Sequence, residues 1–291
     1  MKFKLLLILF LSNSICYCQK YDTIRGRIVN EKGSGIAFAN IVAEKKYYGT
    51  AADSNGNYKL IIRNPESFSD LIIISSIGYN DTIVLCGKLL IDNKIILKEN
   101  PITLQEIVIN TSKKRKIQTL GAKTYSVIDV GCTGLYPGIQ WGLYIKNKFN
   151  KPIQIKKVEF YITKNGKPNT PVRLRIYNFD TNTKLPGTDL LTKSFINSSK
   201  NGGEWLVFDL EKENVYLPEN GALVAMEWLN CGDEYFYSFK DSKHQYYGVV
   251  LGMTRDIKSN LGYIKSFEKK WHKIEDLPVI INPAIRVICI Q

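Results

Sequence analysis

The chain has 291 residues, 44% hydrophobic and 23% charged, which excludes a disordered protein and leaves room for two domains of ordinary size. Its formal net charge of +13 favours anionic surroundings, yet only Lys113-Lys114-Arg115-Lys116 forms a dense basic run. No ladder of interleaved aromatic and basic residues marks a nucleic-acid-binding sheet, so the other lysines read as solvated surface and no nucleic-acid partner is expected.

Residues 1–18 read as a secretory signal peptide. Lys2 and Lys4 give a positive start, Leu5 to Leu11 an apolar core, and Ser12 to Cys18 a short segment with small residues. That core is far shorter than the ~20 residues a membrane-spanning helix needs. Cleavage after Cys18 leaves Gln19 first; a lipid anchor on Cys16 or Cys18 is the alternative, although Ile15 and Tyr17 fit the residue before a lipidated cysteine poorly. No other stretch is long and apolar enough to span a membrane as a helix, so the expected product is an exported protein.

From Gly26 to Ile62 the sequence reads as strand, turn, strand, turn, strand. Asn30-Glu31-Lys32-Gly33 is the first turn; Asp53-Ser54-Asn55-Gly56-Asn57 is a second, tight one, because Asn-Gly tolerates the positive φ of a hairpin. Asp53 to Asn57 also looks like the start of a calcium loop, but Tyr58 and Asn64 stand where its bend glycine and bidentate glutamate belong, so a turn is expected. Leu71 to Ser76, Thr82 to Leu85, Lys94 to Leu97 and Leu104 to Ile109 continue the strands, and short strands between polar turns point to an antiparallel sandwich over residues 23–110.

Several fragments in order carry a family resemblance. They are Gly26 with Ile28, Val29 and Asn30; Ala39-Asn40-Ile41; Gly49-Thr50 followed by Asp53, Gly56 and Tyr58; Ser76-Ile77-Gly78-Tyr79; and Leu104-x-Glu106-Ile107-Val108-Ile109. Together they resemble the carboxypeptidase-like regulatory domain, a transthyretin-like β-sandwich that also precedes the plug of many TonB-dependent outer-membrane receptors. Ala52 departs from the family's second threonine. The resemblance implies an envelope setting: the periplasm or outer-membrane surface of a Gram-negative bacterium. It does not imply a transporter, because the remaining ~170 residues cannot supply a plug and a 22-stranded barrel with about ten residues per strand.

Residues 111–123 change to polar, basic and small residues and read as a linker. Residues 124–291 are β-rich, with strands expected at Gly142–Ile145, Ile155–Ile162, Val172–Tyr177, Trp205–Leu210, Ala222–Trp228, Tyr235–Phe239 and Ala284–Ile290. Arg173-Leu174-Arg175-Ile176-Tyr177 alternates, so one of its faces is expected wet. The expected fold class is all-β: the transthyretin-like sandwich followed by a second, jelly-roll-like sandwich. Trp141, Trp205 and Trp228 read as core; Trp271 sits in a polar segment and reads as an exposed ring for stacking on a sugar, with Lys269, Lys270 and Lys273 around it to attract acidic groups.

Catalytic motifs are sparse. The two histidines, His244 and His272, form no His-Glu-x-x-His, and there is no Gly-x-Ser-x-Gly elbow or Walker loop. No metal or cofactor is expected. Cys231 with His244 reads as a loop thiol and a surface imidazole rather than a nucleophile pair. Glu204, Asp209, Glu227, Asp233 and Glu234 could supply a glycosidase pair. Of the mature cysteines, Cys86 lies apart from Cys132, Cys231 and Cys289, so at most one disulfide, within the second domain, is expected. The function expected is a non-catalytic envelope protein that binds or scaffolds a surface glycan, peptidoglycan or an outer-membrane protein. A carbohydrate-active enzyme using paired carboxylates of the second domain is the alternative.

Overall fold

The computed structural model describes residues 22–44, 48–62, 65–100, 116–123, 131–240, 242–266, 270–274 and 280–290. The expected leader, the strand expected at Leu104 to Ile109 and most of the basic run lie outside them. Among the described residues no helix is long and apolar enough to cross a membrane, which says nothing of strands.

The N-terminal part comprises β1 (Asp22–Asn30), β2 (Asn40–Ala43), β3 (Gly49–Ala51), β4 (Asn57–Ile62), β5 (Leu71–Ser75), β6 (Thr82–Leu85), the short helix α1 (Lys88–Ile91) and β7 (Lys94–Leu97). They form two sheets, β4-β1-β7 and β3-β2-β5-β6. The alternation of β4, Asn57 out and Tyr58 in through to Ile62, turns Tyr58, Leu60 and Ile62 onto Ile24 and Ile28 of β1 and Ile41, Ile72 and Ile74 of the other sheet. β1 and β7 pair in parallel, a departure from the all-antiparallel expectation. The Asp53 turn forms as expected: Asp53 Oδ1 accepts from the amides of Asn55 and Asn57, and Gly56 has φ 83°. It does not close a hairpin within one sheet, because β3 and β4 belong to opposite sheets.

The C-terminal part begins earlier than expected. Within the expected linker, β8 (Ile117–Gly121) pairs antiparallel with the last strand. There follow β9 (Gly131–Gly134), β10 (Gln140–Ile145), β11 (Ile153–Gly166), β12 (Val172–Asp180), β13 (Leu185–Asp189), β14 (Phe195–Asn197), β15 (Glu204–Asp209) and β16 (Tyr216–Leu217). β17 (Ala222–Trp228), β18 (Phe236–Tyr237), β19 (Tyr246–Thr254), β20 (Gly262–Lys265), β21 (Trp271–Lys273), β22 (Asn282–Pro283) and β23 (Ile285–Ile290) complete it. One sheet runs β13-β12-β17-β10-β20-β21; the other is built around β11, which pairs with β15, β16, β19 and β23. Between them lies a core of Leu143, Val158, Phe160, Leu174, Ile176, Val224, Met226, Trp228, Leu251 and Val287. The molecule is thus all-β and built of sandwiches, as its turn-punctuated apolar runs dictate.

Candidate functional site

The outer face of the β12-β17-β10-β20-β21 sheet gathers side chains that sequence alone leaves scattered. Pairing register sets Arg173 beside Glu227, Glu227 beside Gln140, Gln140 beside Lys265 and Lys265 beside Trp271, all on one face. Two residues along β12 comes Arg175, then Tyr177, whose hydroxyl donates to Gln140 Oε1 at 2.8 Å. β12 and β21 are four strand spacings apart in the sheet order, about 19 Å in a flat sheet. Yet the rings of Tyr177 and Trp271 stand 5.4 Å apart, edge to face, and Phe179 meets Tyr263 at 5.7 Å. The sheet therefore curls around this face and encloses a small second core of Tyr177, Phe179, Leu223, Ala225, Tyr263 and Trp271.

A buried ion cluster occupies the end of the curl nearest the N-terminal sandwich. Arg175 bridges two carboxylates, with Nε 2.7 Å from Asp189 Oδ2 and Nη1 3.3 Å from Glu227 Oε2. Arg173, fully buried, lies 3.5 Å from the same Glu227 oxygen. Burial opposes the Glu227 charge, but the Arg173 and Arg175 guanidiniums and the Asn40 amide outweigh it and hold its carboxyl below the ordinary range. Burial raises the Asp189 carboxyl despite Arg175.

The N-terminal sandwich closes over this end. Arg173 Nη2 donates to the Phe38 carbonyl at 2.8 Å and its guanidinium lies 5.7 Å from the Phe38 ring centroid. Asn40 Nδ2 donates to Glu227 Oε1 at 3.0 Å, and Asn230 Nδ2 to the Ala51 carbonyl at 2.8 Å. Phe38 adopts φ 55°, a left-handed conformation unfavourable for a bulky side chain. Strain of this kind persists only where its surroundings impose it, and here they are the seam between the two sandwiches.

Several expectations are corrected by this geometry. The face of β12 expected to be wet is covered: Arg173 and Tyr177 are buried, because the other sandwich and the curl of the sheet lie over them. Trp271 is 9% exposed and packs on Tyr177 with Lys265 Nζ 5.7 Å from its ring centroid. It is no open stacking platform, since the ring folds back onto the sheet. Lys270 and Lys273 are exposed beside it, and Lys269 lies outside the described residues. Trp228 is core, its Nε1 donating to the Val249 carbonyl, and Trp141 is half-buried against the same core. Trp205 instead lies on the outer face of its sheet, 3.9 Å under the Arg286 guanidinium. Cys86, Cys132, Cys231 and Cys289 are all free, so the one disulfide allowed for in the second domain is not formed.

The expected catalytic groups do not converge. Glu204, exposed at the start of β15, accepts from the buried Ser199 Oγ, Asp209 Oδ1 accepts from the Glu211 amide, and Asp233 and Glu234 are exposed. The carboxylate that joins Glu227 is Asp189, absent from the expected set, and a guanidinium separates the two. Burial and Glu234 push the Cys231 thiol up to about 11, which opposes a nucleophilic role. Asp53 has its carboxylate taken up by Asn55 and Asn57 within the turn. No grouping of metal-ligating side chains occurs among the described residues. Chemically, the cluster can orient and join: two guanidiniums against two carboxylates, mutually compensated and out of water.

Residues 24–109 match the family model of the CarboxypepD_reg-like domain, in agreement with the motifs that resembled it. No curated protein matches the chain.

Proposed function

We propose that this chain, whose residues 24–109 are a CarboxypepD_reg-like domain, is a non-catalytic, exported cell-envelope protein that binds or scaffolds. The observation that carries the reading is the seam. The buried charged groups are turned to that seam: Arg173 and Glu227 reach Phe38 and Asn40 of the other sandwich, while Arg175 and Asp189 brace Glu227 from behind, and no open carboxylate pair is left there. A regulatory-type sandwich held in a defined orientation on a larger one suits presentation of a surface to a partner. The partner classes are a surface glycan, peptidoglycan or an outer-membrane protein, and the basic leader with its apolar core at Leu5 to Leu11 supports export.

Co-sedimentation of the purified protein with isolated peptidoglycan sacculi and with outer-membrane fragments tests the reading. Retention with no new reducing ends or peptides released is expected. Release of reducing ends that scales with protein and time would overturn it in favour of the carbohydrate-active enzyme.

A further inference from the structure

Among the described side chains, the outer face of the β4-β1-β7 sheet carries only cations as its charged residues. Strand pairing sets Arg25 opposite Lys59, and Arg27 between Asn57 and Lys94. Arg25, Arg27, Lys59 and Lys94 are all exposed. Among the described residues no carboxylate pairs with any of the four. Adjacent strands stand ~4.8 Å apart and same-face residues along a strand ~7 Å apart, so four positive heads share a patch little wider than a Debye length.

An aliphatic tip adjoins this patch. Helix α1 buries Leu89 and turns Leu90 and Ile91 outward, 54% and 85% exposed. It ends two residues before Asn93, whose carbonyl accepts from the Arg27 amide at 2.7 Å, and Lys94 follows at once. Ile61 and Ile96, on the cationic face itself, are also about half exposed. Aromatic rings are what sugars and nucleic-acid bases stack on, and the exposed apolar groups here are all aliphatic. Cations beside protruding aliphatic side chains match the two layers of a lipid surface: anionic phosphates outside, acyl chains just beneath.

We propose that this end of the N-terminal sandwich docks on an anionic bilayer surface, with Arg25, Arg27, Lys59 and Lys94 meeting lipid phosphates while Leu90 and Ile91 enter the head-group layer. The proposal goes beyond the scaffold reading and does not depend on it, since vesicles of pure lipid suffice to test it.

The test uses the chain from Gln19 onward, which keeps every described residue and removes the apolar leader. It is sedimented with vesicles of phosphatidylglycerol and phosphatidylethanolamine, and with vesicles of phosphatidylcholine alone. Binding to the anionic vesicles that weakens as salt is raised is expected, with at least tenfold weaker binding to phosphatidylcholine. The pair Arg25→Glu and Lys59→Glu, and separately the pair Leu90→Asp and Ile91→Asp, should each lower binding at least tenfold with the melting temperature retained, because these side chains are exposed. Equal binding to both vesicle types, or unchanged binding of either variant, overturns the proposal.

Discussion

Glu227 sits in β17, a strand otherwise made of Ala, Leu, Val, Met and Trp, and it is 1% exposed. A carboxylate in such a place must be compensated, because an isolated buried charge is far too costly. Two guanidiniums and the Asn40 amide do so. Glu227→Gln leaves Arg173 and Arg175 with only Asp189, and removing one partner of a buried ion cluster costs about 3 kcal/mol; urea denaturation at pH 7 should read it. The sign with pH follows from the depressed carboxyl of Glu227. Its contribution is full above the ordinary value of 4.5 and is lost as pH falls through the lower, folded value, so the stability gap between parent and Glu227→Gln should close below about pH 4.5. A gap unchanged down to pH 3 would mean that folding does not lower the Glu227 carboxyl. Gly56 is a second single-residue test. Its φ is 83°, and an added Cβ would meet the Ile28 carbonyl oxygen at 2.4 Å, so Gly56→Val should destabilise the N-terminal sandwich by about 1–3 kcal/mol in thermal or urea unfolding.

Elements show where the sequence is legible and where it is not. Ala222–Trp228 and Lys94–Leu97 are strands with the bounds their apolar runs suggest, because both runs are punctuated by turn residues. Tyr246–Thr254 is equally apolar, but glycines at 248 and 252 interrupt it and conceal a strand that reaches the core. β8 hides for a different reason: it is an edge strand, buried only at Leu120, and its polar residues look like those of a linker. Its position carries a prediction. A fragment starting at residue 124 loses β8, uncovers the β23 edge and empties the place of Leu120, and should melt lower or aggregate relative to one starting at residue 116. The polar neighbours of Trp271 suggest an exposed ring, but a strand alternates, and its face is decided by β20 beside it rather than by the lysines around it. Trp271→Ala should therefore cost about 3 kcal/mol in unfolding experiments, while binding to sacculi or outer-membrane fragments is unchanged. Weaker binding at an unchanged melting temperature would restore the exposed-platform reading.

At the scale of the molecule, the question is whether the two sandwiches act as one body. Each has its own core, so a fragment of residues 19–110 should fold cooperatively. The sequence gives little hint of their docking, since the seam joins residues 135 and more positions apart and no local pattern reports such a contact. The only available signals were an Arg-x-Arg alternation at 173–175 and a glutamate inside an apolar strand. Asn40 offers a clean measure of the coupling. Its side chain reaches away from its own domain to a carboxylate of the other, and a hydrogen bond to a charged group contributes about 1.5–3 kcal/mol. In the whole chain Asn40→Ala should destabilise by roughly that amount, because Glu227 loses a donor it cannot replace from water. In the isolated 19–110 fragment the same side chain faces solvent, and the substitution should lie within about 0.5 kcal/mol of neutral. Urea melts of four proteins, each form with and without the change, decide the matter. A cost that is the same in both contexts would assign Asn40 to the fold of its own domain and remove the seam as the feature that orients the two sandwiches.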